Sequence, residues 1–196
     1  MIGHIHRSIW NMIGEWAIWR NAFSPDECDS IISRGKDLPE DLASQGLDGE
    51  NPDQTYRRSK IKWMYENVYE DVFDKMWKMT NRVNEEYFQF HIDTLRFMQL
   101  TEYHESYKGE YKKHHDVFWL NRSNKHRKLS VVLQLTDPST YEGGELNLEV
   151  QGEQPQDFYN KGTVIWFPSW TPHWVTPVSK GLRNSVVCWF EGPRWR

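Results

Sequence analysis

From residue 95 onwards the chain is a series of short segments rich in branched and aromatic residues, and this pattern constrains the fold more than any other. Gly, Pro, Asp and Asn separate the segments, which read LRFMQLTEY, KLSVVLQLT, GELNLEV, GTVIWFP, HWVTPV and NSVVCWFEG. Such residues favour β-strands, and several short strands at close spacing are typical of β-sandwiches and barrels. The second half of the chain is therefore predicted to form a β-sandwich or an open barrel.

Two helices are predicted in the first half of the chain. The segment SPDECDSIISRG offers a capping box formed by Ser24 and Glu27, with Pro25 in the first turn. In NVYEDVFDKMWKMTNRVNEEYF the apolar residues recur at steps of three and four, as on a helix that is buried on one face. Between these segments, residues 38–60 show no apolar period and predict a long surface loop. Helices followed by strands indicate an α+β fold.

Length and composition favour a single domain, 1–196, that does not bind nucleic acid. Its helical support is expected over about 1–94 and its β core over about 95–193. A net charge of -4 offers no basic surface for phosphates. Cys28 and Cys188 are predicted to be free thiols in a reducing compartment. Polar residues interrupt the apolar N-terminal segment, so neither a signal peptide nor a membrane span is predicted, and a cytoplasmic protein is expected.

The segment YKKHHD contains a candidate metal site. His114 and Asp116 lie two residues apart, so on a strand their side chains share one face, while His115 points away. Among the other histidines, only His173 stands at the start of a downstream predicted strand, which makes it the natural third ligand. Two imidazoles and one carboxylate leave coordination positions open, as in the non-haem Fe(II) oxygenases. A structural zinc site would favour thiolate ligands, whereas a catalytic zinc hydrolase is compatible with this set.

A cationic residue follows the third candidate ligand in a strand-like run. In this alternating segment, Arg183 and Ser185 share a face. A guanidinium group can bind a carboxylate through two parallel hydrogen bonds, and a serine hydroxyl can donate to the same oxygen atoms. The two residues therefore predict a site for the far end of a dicarboxylate that chelates the iron.

These motifs occur in the order found in a known enzyme family. The string that runs from GEYKKHHD through RKLSVVLQLTDPSTYEGGEL to GTVIWFPSWTPHWVTPVSKGLRNSVVCWFEGP closely resembles the iron(II)- and 2-oxoglutarate-dependent dioxygenases of the prolyl 4-hydroxylase type, including bacterial and phage members. The resemblance covers residues from about 95 to 193, and AFSPDECDSII resembles the opening of the same family. It implies a double-stranded β-helix of the jelly-roll or cupin type, with the N-terminal helices packed on one sheet.

The resemblance also implies roles for individual residues. The three candidate ligands would bind Fe(II) and form the catalytic centre, and Arg183 would hold the distal carboxylate of 2-oxoglutarate. The family has a tyrosine, on the strand before the His-x-Asp motif, that hydrogen-bonds the same carboxylate, and Tyr103 and Tyr107 are the two candidates for it. Many prolyl hydroxylases have Lys in place of Arg183, which places this chain nearer other branches.

Other residues are expected at the substrate rim from their positions alone. Trp119 and Trp174 each follow a candidate metal ligand closely, and Arg57 and Arg58 follow the predicted long loop. The basic segment NRSNKHRK, residues 121–128, is predicted to be a solvated loop between two strands.

The implied activity is hydroxylation of an unactivated C–H bond, with release of succinate and CO2. The implied cofactors are Fe(II), 2-oxoglutarate and O2, with ascorbate as a further candidate. The first expected substrate is a prolyl residue in a peptide or protein, followed by other protein or small-molecule targets. Two alternatives stay open: another metal-dependent, cupin-like hydrolase or isomerase, and a non-enzymatic, aromatic-rich module that binds sugar or peptide. The sequence makes no prediction of oligomeric state.

Overall fold

The computed structural model describes residues 2–7, 14–42, 55–119 and 123–195. Within these ranges, helix α1 is Pro25–Gly35 and helix α2 is Glu66–Val83, which a π-helical turn, Asn84–Phe88, continues. The strands are β1 Ile2–Arg7, β2 Gly14–Trp19, β3 Asp41–Leu42, β4 Arg57–Arg58, β5 Lys60–Met64, β6 Met98–His104, β7 Glu110–His114, β8 Lys125–Gln134, β9 Glu142–Gly143, β10 Leu146–Leu148, β11 Val164–Pro168, β12 His173–Val175, β13 Val178–Lys180 and β14 Leu182–Pro193. Short 3-10 turns cover Glu105–Tyr107, Pro138–Thr140 and Gln156–Tyr159.

Two antiparallel sheets pack against each other. Among the described residues, the larger sheet has eight strands in the order β1-β2-β11-β8-β14-β6-β5-β3, and the smaller has four in the order β10-β12-β7-β4. Strands β9 and β13 form a separate pair. Side chains from both sheets meet in one apolar cluster, which includes Ile165 and Phe167 of the larger sheet and Leu148 and Val175 of the smaller. The space between the sheets is therefore one of the two cores of the fold.

The helices cover the outer face of the larger sheet. Along β8, Val131 and Leu133 belong to the apolar cluster that contains α1 and α2, whereas Val132 belongs to the cluster between the sheets. This alternation is the pattern expected for a strand that is buried on both faces. Trp166 of β11 joins sheet to helix, because its indole Nε1 donates a hydrogen bond to Thr80 Oγ1 of α2 at 2.9 Å. Within the described residues, neither helix is long and apolar enough to cross a membrane.

Polar side chains interrupt the inner face of the larger sheet. Ser130 and Gln134 of β8, and Arg183 and Ser185 of β14, are all buried on the side that faces the smaller sheet. Burial of a polar group without a hydrogen-bond partner costs free energy, so a group of such residues in a core marks a place with a role besides packing.

Several sequence predictions are confirmed. Helix α1 begins with the predicted capping box, in which Ser24 Oγ accepts from the Glu27 N–H at 3.2 Å and the Glu27 carboxylate accepts from the Ser24 N–H at 2.7 Å. Pro25 occupies the first turn. The α+β class and the packing of the N-terminal helices on one sheet are also as predicted.

Two predictions of irregular structure are wrong in part. The loop expected over residues 38–60 contains β3, β4 and the start of β5, while residues 43–54 lie outside the described ranges. The loop expected over residues 121–128 contains the start of β8, and residues 121 and 122 lie outside the described ranges. Strands of two residues are too short to show alternation, and the charged start of β8 resembles a loop in composition. The first half of the chain thus contains strands β1 to β5 besides its two helices.

Both cysteines are buried free thiols, as the sequence predicts. Cys28 lies in α1 and Cys188 in β14, and both belong to the cluster between the helices and the larger sheet. Burial raises the pKa of the Cys28 thiol to about 11, and burial also raises the pKa of Cys188. Because the thiolate is the reactive form, neither side chain is expected to react in the folded protein.

We therefore predict that a thiol reagent such as Ellman's reagent labels no cysteine in the folded protein at neutral pH. After unfolding in guanidinium chloride, the same reagent should label both thiols of the chain. Rapid labelling of one thiol in the folded protein would contradict the burial of that side chain.

Candidate metal and co-substrate site

Three side chains with metal-binding atoms converge between the sheets. His114 ends β7, Asp116 follows two residues later, and His173 begins β12. Strands β7 and β12 are antiparallel neighbours in which His114 and His173 lie directly opposite each other, and the centres of their rings are 4.2 Å apart. The ligand atoms of the three residues all lie within 4.8 Å of one another. The structure therefore brings together the three residues that the sequence singles out as candidate ligands.

Backbone carbonyl groups orient both imidazoles. Nδ1 of His114 lies 2.8 Å from the carbonyl oxygen of Lys112, and Nδ1 of His173 lies 2.9 Å from that of Thr171. A carbonyl oxygen only accepts hydrogen bonds, so each Nδ1 carries a proton, and in the neutral form of each ring Nε2 keeps the lone pair that can bind a metal. The two Nε2 atoms lie 3.8 Å and 3.5 Å from the carboxylate oxygens of Asp116. This spacing leaves room for one ion bonded to all three residues.

Asp116 is buried and is held by neighbours from both sides. The hydroxyl of Ser130 donates to Asp116 Oδ2 at 2.6 Å, and the hydroxyl of Ser169 lies 3.0 Å from that of Ser130. The backbone N–H of Asp116 donates to the carbonyl oxygen of Ser169 at 2.8 Å. Nη1 of Arg127 lies 3.9 Å from Oδ1, while the Arg127 guanidinium lies 3.8 Å above the ring of Trp189. These contacts fix the orientation of the carboxylate toward the imidazoles.

The surroundings shift the pKa values of His114 and Asp116 toward the protonation states that bind metals. Burial, followed by the neighbouring His173, lowers the pKa of His114 to about 3, so this imidazole is neutral at neutral pH. Burial raises the pKa of Asp116, but the nearby His173, His114 and Arg127 lower it by more, and the net pKa lies below its ordinary value. A neutral imidazole and an ionised carboxylate are the ligand forms of these two residues. Two nitrogens and one oxygen with open positions suit Fe(II) in oxygenases.

The three side chains line a cavity of about 620 Å³ between the sheets. The larger sheet contributes Tyr103, Arg183 and Ser185 to its wall, and apolar residues such as Val132 and Val175 line it as well. A cavity that combines apolar side chains with convergent polar and charged groups is typical of a small-molecule site. The candidate metal site and the candidate dicarboxylate site therefore share one cavity.

Arg183 has hydrogen-bonding capacity that the described residues do not use. Its side chain is 1% exposed, and Nη2 donates to Gln134 Oε1 at 2.8 Å. Nε and Nη1 are buried and form no hydrogen bond of normal geometry with the described residues. The phenol of Tyr141 lies near the guanidinium, which offsets part of the rise that burial causes in the pKa of Tyr141. Gly144 of the YEGGEL turn, at φ +68, lies close to this side chain, since a Cβ atom there would come within 3.3 Å of Arg183 Cδ. A carboxylate that accepted from Nε and Nη1 would satisfy both groups, so the residues fit the distal end of 2-oxoglutarate.

Only one of the two candidate tyrosines lies beside this arginine. Tyr103 is opposite Arg183 across β6 and β14, and the Arg183 guanidinium lies 5.5 Å from the centre of its ring. Tyr107 lies on the 3-10 turn after β6, where its hydroxyl donates to the carbonyl oxygen of Glu102 at 3.2 Å, and it does not line the cavity. Ser185 is buried and lines the cavity. The structure thus groups Tyr103 and Ser185 with Arg183.

Of the four residues expected at the substrate rim, only Arg57 lines the cavity. Arg58 is its neighbour on β4 and forms an ion pair with Glu110 at 2.6 Å. Trp119 is 49% exposed and lies outside the cavity wall. Trp174 immediately follows a candidate ligand on β12, so strand alternation turns its side chain to the opposite face.

Strand alternation does not describe His115, the residue between two candidate ligands. His115 is predicted to point away from the site, yet it is exposed and contributes to the cavity wall. The reason is that β7 ends at His114, so the alternation of a strand does not extend to His115.

Three residues of the site escape the sequence-based reasoning. Ser130 could have been found from the sequence, because Ser130 and Gln134 are polar residues four positions apart, on the same face of a strand that is otherwise apolar from Leu129 onwards. Arg127 had none, since its segment reads as a charged loop. Tyr111 stacks on His114 with ring centres 3.5 Å apart, a contact made within β7 that no sequence motif indicates.

Comparisons with known proteins agree with this geometry. The sequence model of a protein family, the 2OG-Fe(II) oxygenase superfamily, matches residues 98–191 of this chain. A curated relative, the PKHD-type hydroxylase of Pseudoalteromonas atlantica, is 38% identical over 91 residues, which make up 43% of this chain and 40% of the relative. The chain thus matches less than half of the length of this relative.

Two solved structures have the same fold. A Pseudomonas putida prolyl-4-hydroxylase superposes with a TM-score of 0.68 at 18% identity, covering 93% of this chain and 94% of that one. A prolyl hydroxylase from Trichoplax adhaerens, in complex with a hypoxia inducible factor oxygen degradation domain peptide fragment, superposes with a TM-score of 0.69 at 16% identity, covering 90% and 83%. The fold is the double-stranded β-helix that the sequence predicts. Over residues 98–191, which contain the three candidate metal ligands and Arg183, this chain is similar to the 2OG-Fe(II) oxygenase superfamily, and over part of its length it is similar to PKHD-type hydroxylases.

Proposed function

We propose that this chain is an Fe(II)- and 2-oxoglutarate-dependent hydroxylase. In this proposal His114, Asp116 and His173 bind Fe(II), and Arg183 binds the distal carboxylate of 2-oxoglutarate. The observation that carries it is that two buried nitrogens of Arg183, Nε and Nη1, form no hydrogen bond within the part of the chain that the structure describes, in the same cavity as the three metal-binding side chains. A metal site alone does not require such a cation, whereas a dicarboxylate co-substrate does.

The residues of the chain bind and orient the reactants. Both histidines present a free Nε2 because their Nδ1 atoms donate to carbonyl groups, and Asp116 supplies the negative charge of the ligand set. Ser130 donates to one oxygen of Asp116, which restricts how that carboxylate can turn. Arg183 provides a planar pair of donors, and Tyr103 and Ser185 are proposed to add hydroxyl donors to the same carboxylate.

When bound, iron and 2-oxoglutarate supply the oxidising chemistry, in which O2 contributes one oxygen atom to succinate and the other to the hydroxyl of the product as CO2 is released. The chain's own contribution is geometry and exclusion of water. The apolar wall of the cavity, formed by residues such as Val132 and Val175, keeps water away from the reacting groups. Ascorbate is proposed as a further component of the reaction mixture.

The two alternative functions explain less of the site. A zinc or manganese hydrolase or isomerase with the same ligands would act through metal-bound water and would leave the Arg183 groups unexplained. A non-enzymatic, aromatic-rich binding module would need no cluster of two histidines and one aspartate. Large aromatic residues such as Trp166 and Phe158 are fully buried, so much of the aromatic content serves packing.

We propose a peptide or protein as the substrate, with a prolyl residue as the first target to test. The structural neighbours named above are prolyl hydroxylases, and one of them is in complex with a peptide. These names support the substrate class without defining the sequence around the target.

The first test of the proposed function removes the anionic ligand. Asp116→Ala should reduce the formation of succinate from 2-oxoglutarate, in the presence of Fe(II) and O2, at least about 100-fold, because two neutral imidazoles hold the metal poorly. The matched control is Asp74→Ala, on the exposed side of α2, which should leave succinate formation unchanged. Succinate formation by Asp116→Ala at the wild-type rate would exclude the proposed ligand set.

A second test distinguishes the two tyrosines. Tyr103→Phe should raise the KM for 2-oxoglutarate about tenfold, because it removes a hydroxyl donor beside a charged carboxylate. Tyr107→Phe serves as the control and should leave this KM within about twofold, since its hydroxyl bonds to Glu102 outside the cavity. Steady-state kinetics with varied 2-oxoglutarate provide the measurement, and the reverse order of effects would reassign the role to Tyr107.

A further inference from the structure

The cavity has more positive charge than the proposed function uses. Its described wall contains one carboxylate, Asp116, and four cationic side chains: Arg57, Lys113, Arg127 and Arg183. Lys113 forms an ion pair with Glu149, and Arg127 lies beside Asp116. Arg183 is the proposed partner of 2-oxoglutarate. Of these four cations, Arg57 is the one without an assigned anionic partner.

Arg57 is buried among neutral partners. Its side chain is 6% exposed, Nε donates to Ser59 Oγ at 2.8 Å, and Nη2 donates to Gln99 Oε1 at 2.8 Å. Among the described residues, no carboxylate forms an ion pair with it, and no acceptor is bonded to Nη1. A largely buried cation without an anionic partner loses part of its hydration, and the two hydrogen bonds to neutral groups replace that hydration only in part. The hydrogen bonds hold the guanidinium in a fixed orientation while its charge is left unbalanced.

The position of Arg57 places this charge next to the reaction centre. Arg57 is opposite Tyr111 across β4 and β7, and its guanidinium lies 4.4 Å from the centre of the Tyr111 ring. The Tyr111 ring also stacks on the imidazole of His114, with ring centres 3.5 Å apart. Because two planar groups cannot occupy the same face of one ring, a single aromatic ring separates Arg57 from a proposed iron ligand.

The proposed iron and co-substrate do not neutralise the positive charge of Arg57. Fe(II) carries two positive charges and 2-oxoglutarate two negative ones, so together they add no net charge to the cavity. Within the described ranges, the charge of Arg57 is therefore still without an anionic partner when the substrate enters. An anion with the planar geometry of a carboxylate matches the guanidinium fork.

We propose that the substrate carries a carboxylate group that binds to Arg57, close to the C–H bond that is hydroxylated. This inference rests on the proposed function and narrows its substrate to acidic molecules. The carboxylate can belong to a free acid, to the end of a peptide or to an acidic side chain, and the chemistry at Arg57 is the same in each case. Arg57 is thus a specificity-determining residue of the cavity.

A purely structural role for Arg57 makes a different prediction. In that case Arg57 would only join β4 to Gln99 of β6 and support the ring of Tyr111. The protein would then respond equally to an acid and to its neutral amide. The two roles can therefore be separated by matched pairs of probes.

The experiment measures thermal unfolding of the full chain, loaded under anaerobic conditions with Fe(II) and 2-oxoglutarate so that Arg183 and the metal ligands are already engaged. The probes are acetate with acetamide, N-acetyl-L-proline with N-acetyl-L-prolinamide, and the amidated, N-acetylated dipeptides Pro-Asp and Pro-Asn, all at constant ionic strength. At least one acid should raise the Tm of the wild type by about 2–4 °C more than its amide does. The pair that shows the effect identifies the source of the carboxylate.

Three variants decide whether the effect belongs to Arg57. In Arg57→Gln the difference between acid and amide should disappear, and in Arg57→Lys, which keeps the charge without the planar fork, it should be reduced at least by half. Arg58→Gln is the matched control, because Arg58 lies next to Arg57 on β4 but outside the cavity, and its partner Glu110 keeps an ion pair with Lys112. In this variant the difference should equal that of the wild type.

The comparison of acids with amides, in the wild type and in the variants, tests the role of Arg57 directly. Equal responses to acids and amides in the wild type, or a difference that persists in Arg57→Gln, would overturn the inference. If Arg57→Gln does not fold, Arg57→Lys and the wild type decide by the same criteria. A charge-transfer band from Fe(II) and 2-oxoglutarate in the wild type shows separately that the proposed function holds, so failure of the band and failure of the carboxylate effect are distinguishable.

Discussion

The pairing of β7 with β12 is the contact on which the site depends, because it sets His114 directly opposite His173. The smaller sheet thereby provides both imidazoles, and the end of β7 leads directly to Asp116. The facing sheet provides Ser130, which orients the carboxylate, and Arg183, which has unused donors in the same cavity. The proposed site therefore depends on a fixed packing of the two sheets against each other across their common core. Rigid strands position such groups more accurately than loops do.

The charges that line the cavity are mostly positive within the described residues. Arginine side chains are costly to bury, and the three that line this cavity are held in three different ways. Arg127 stacks on Trp189 beside Asp116. Arg183 bonds to a neutral glutamine, and Arg57 bonds to a neutral serine and glutamine. Two of the three thus have no anionic partner among the described residues, which is consistent with a cavity built to receive carboxylates from its reactants.

The sequence predicted the part of the site that follows strand periodicity. Candidate ligands at alternate positions, and an arginine and a serine that share a face of one strand, can be read directly from spacing. Helix α1 was equally readable, because the capping residues Ser24 and Glu27 act within one turn. Strands β3 and β4 could not be predicted, since two residues show no period and their pairing depends on distant strands. Arg127 was misread because its stacking on Trp189 is a tertiary contact, which overrides the polar character of its segment.

The most direct test of the central claim is an anaerobic titration of the purified apo-protein with Fe(II) and then 2-oxoglutarate, monitored by visible absorption. If the metal ligands and Arg183 form one site, we expect a metal-to-ligand charge-transfer band that saturates at one 2-oxoglutarate per chain. In Arg183→Gln the band should require at least about tenfold more 2-oxoglutarate, whereas Arg183→Lys, which keeps a cation in this position, should need less than Arg183→Gln. Stoichiometric uptake of Fe(II) without any band on addition of 2-oxoglutarate would contradict the account and favour a metal-dependent hydrolase.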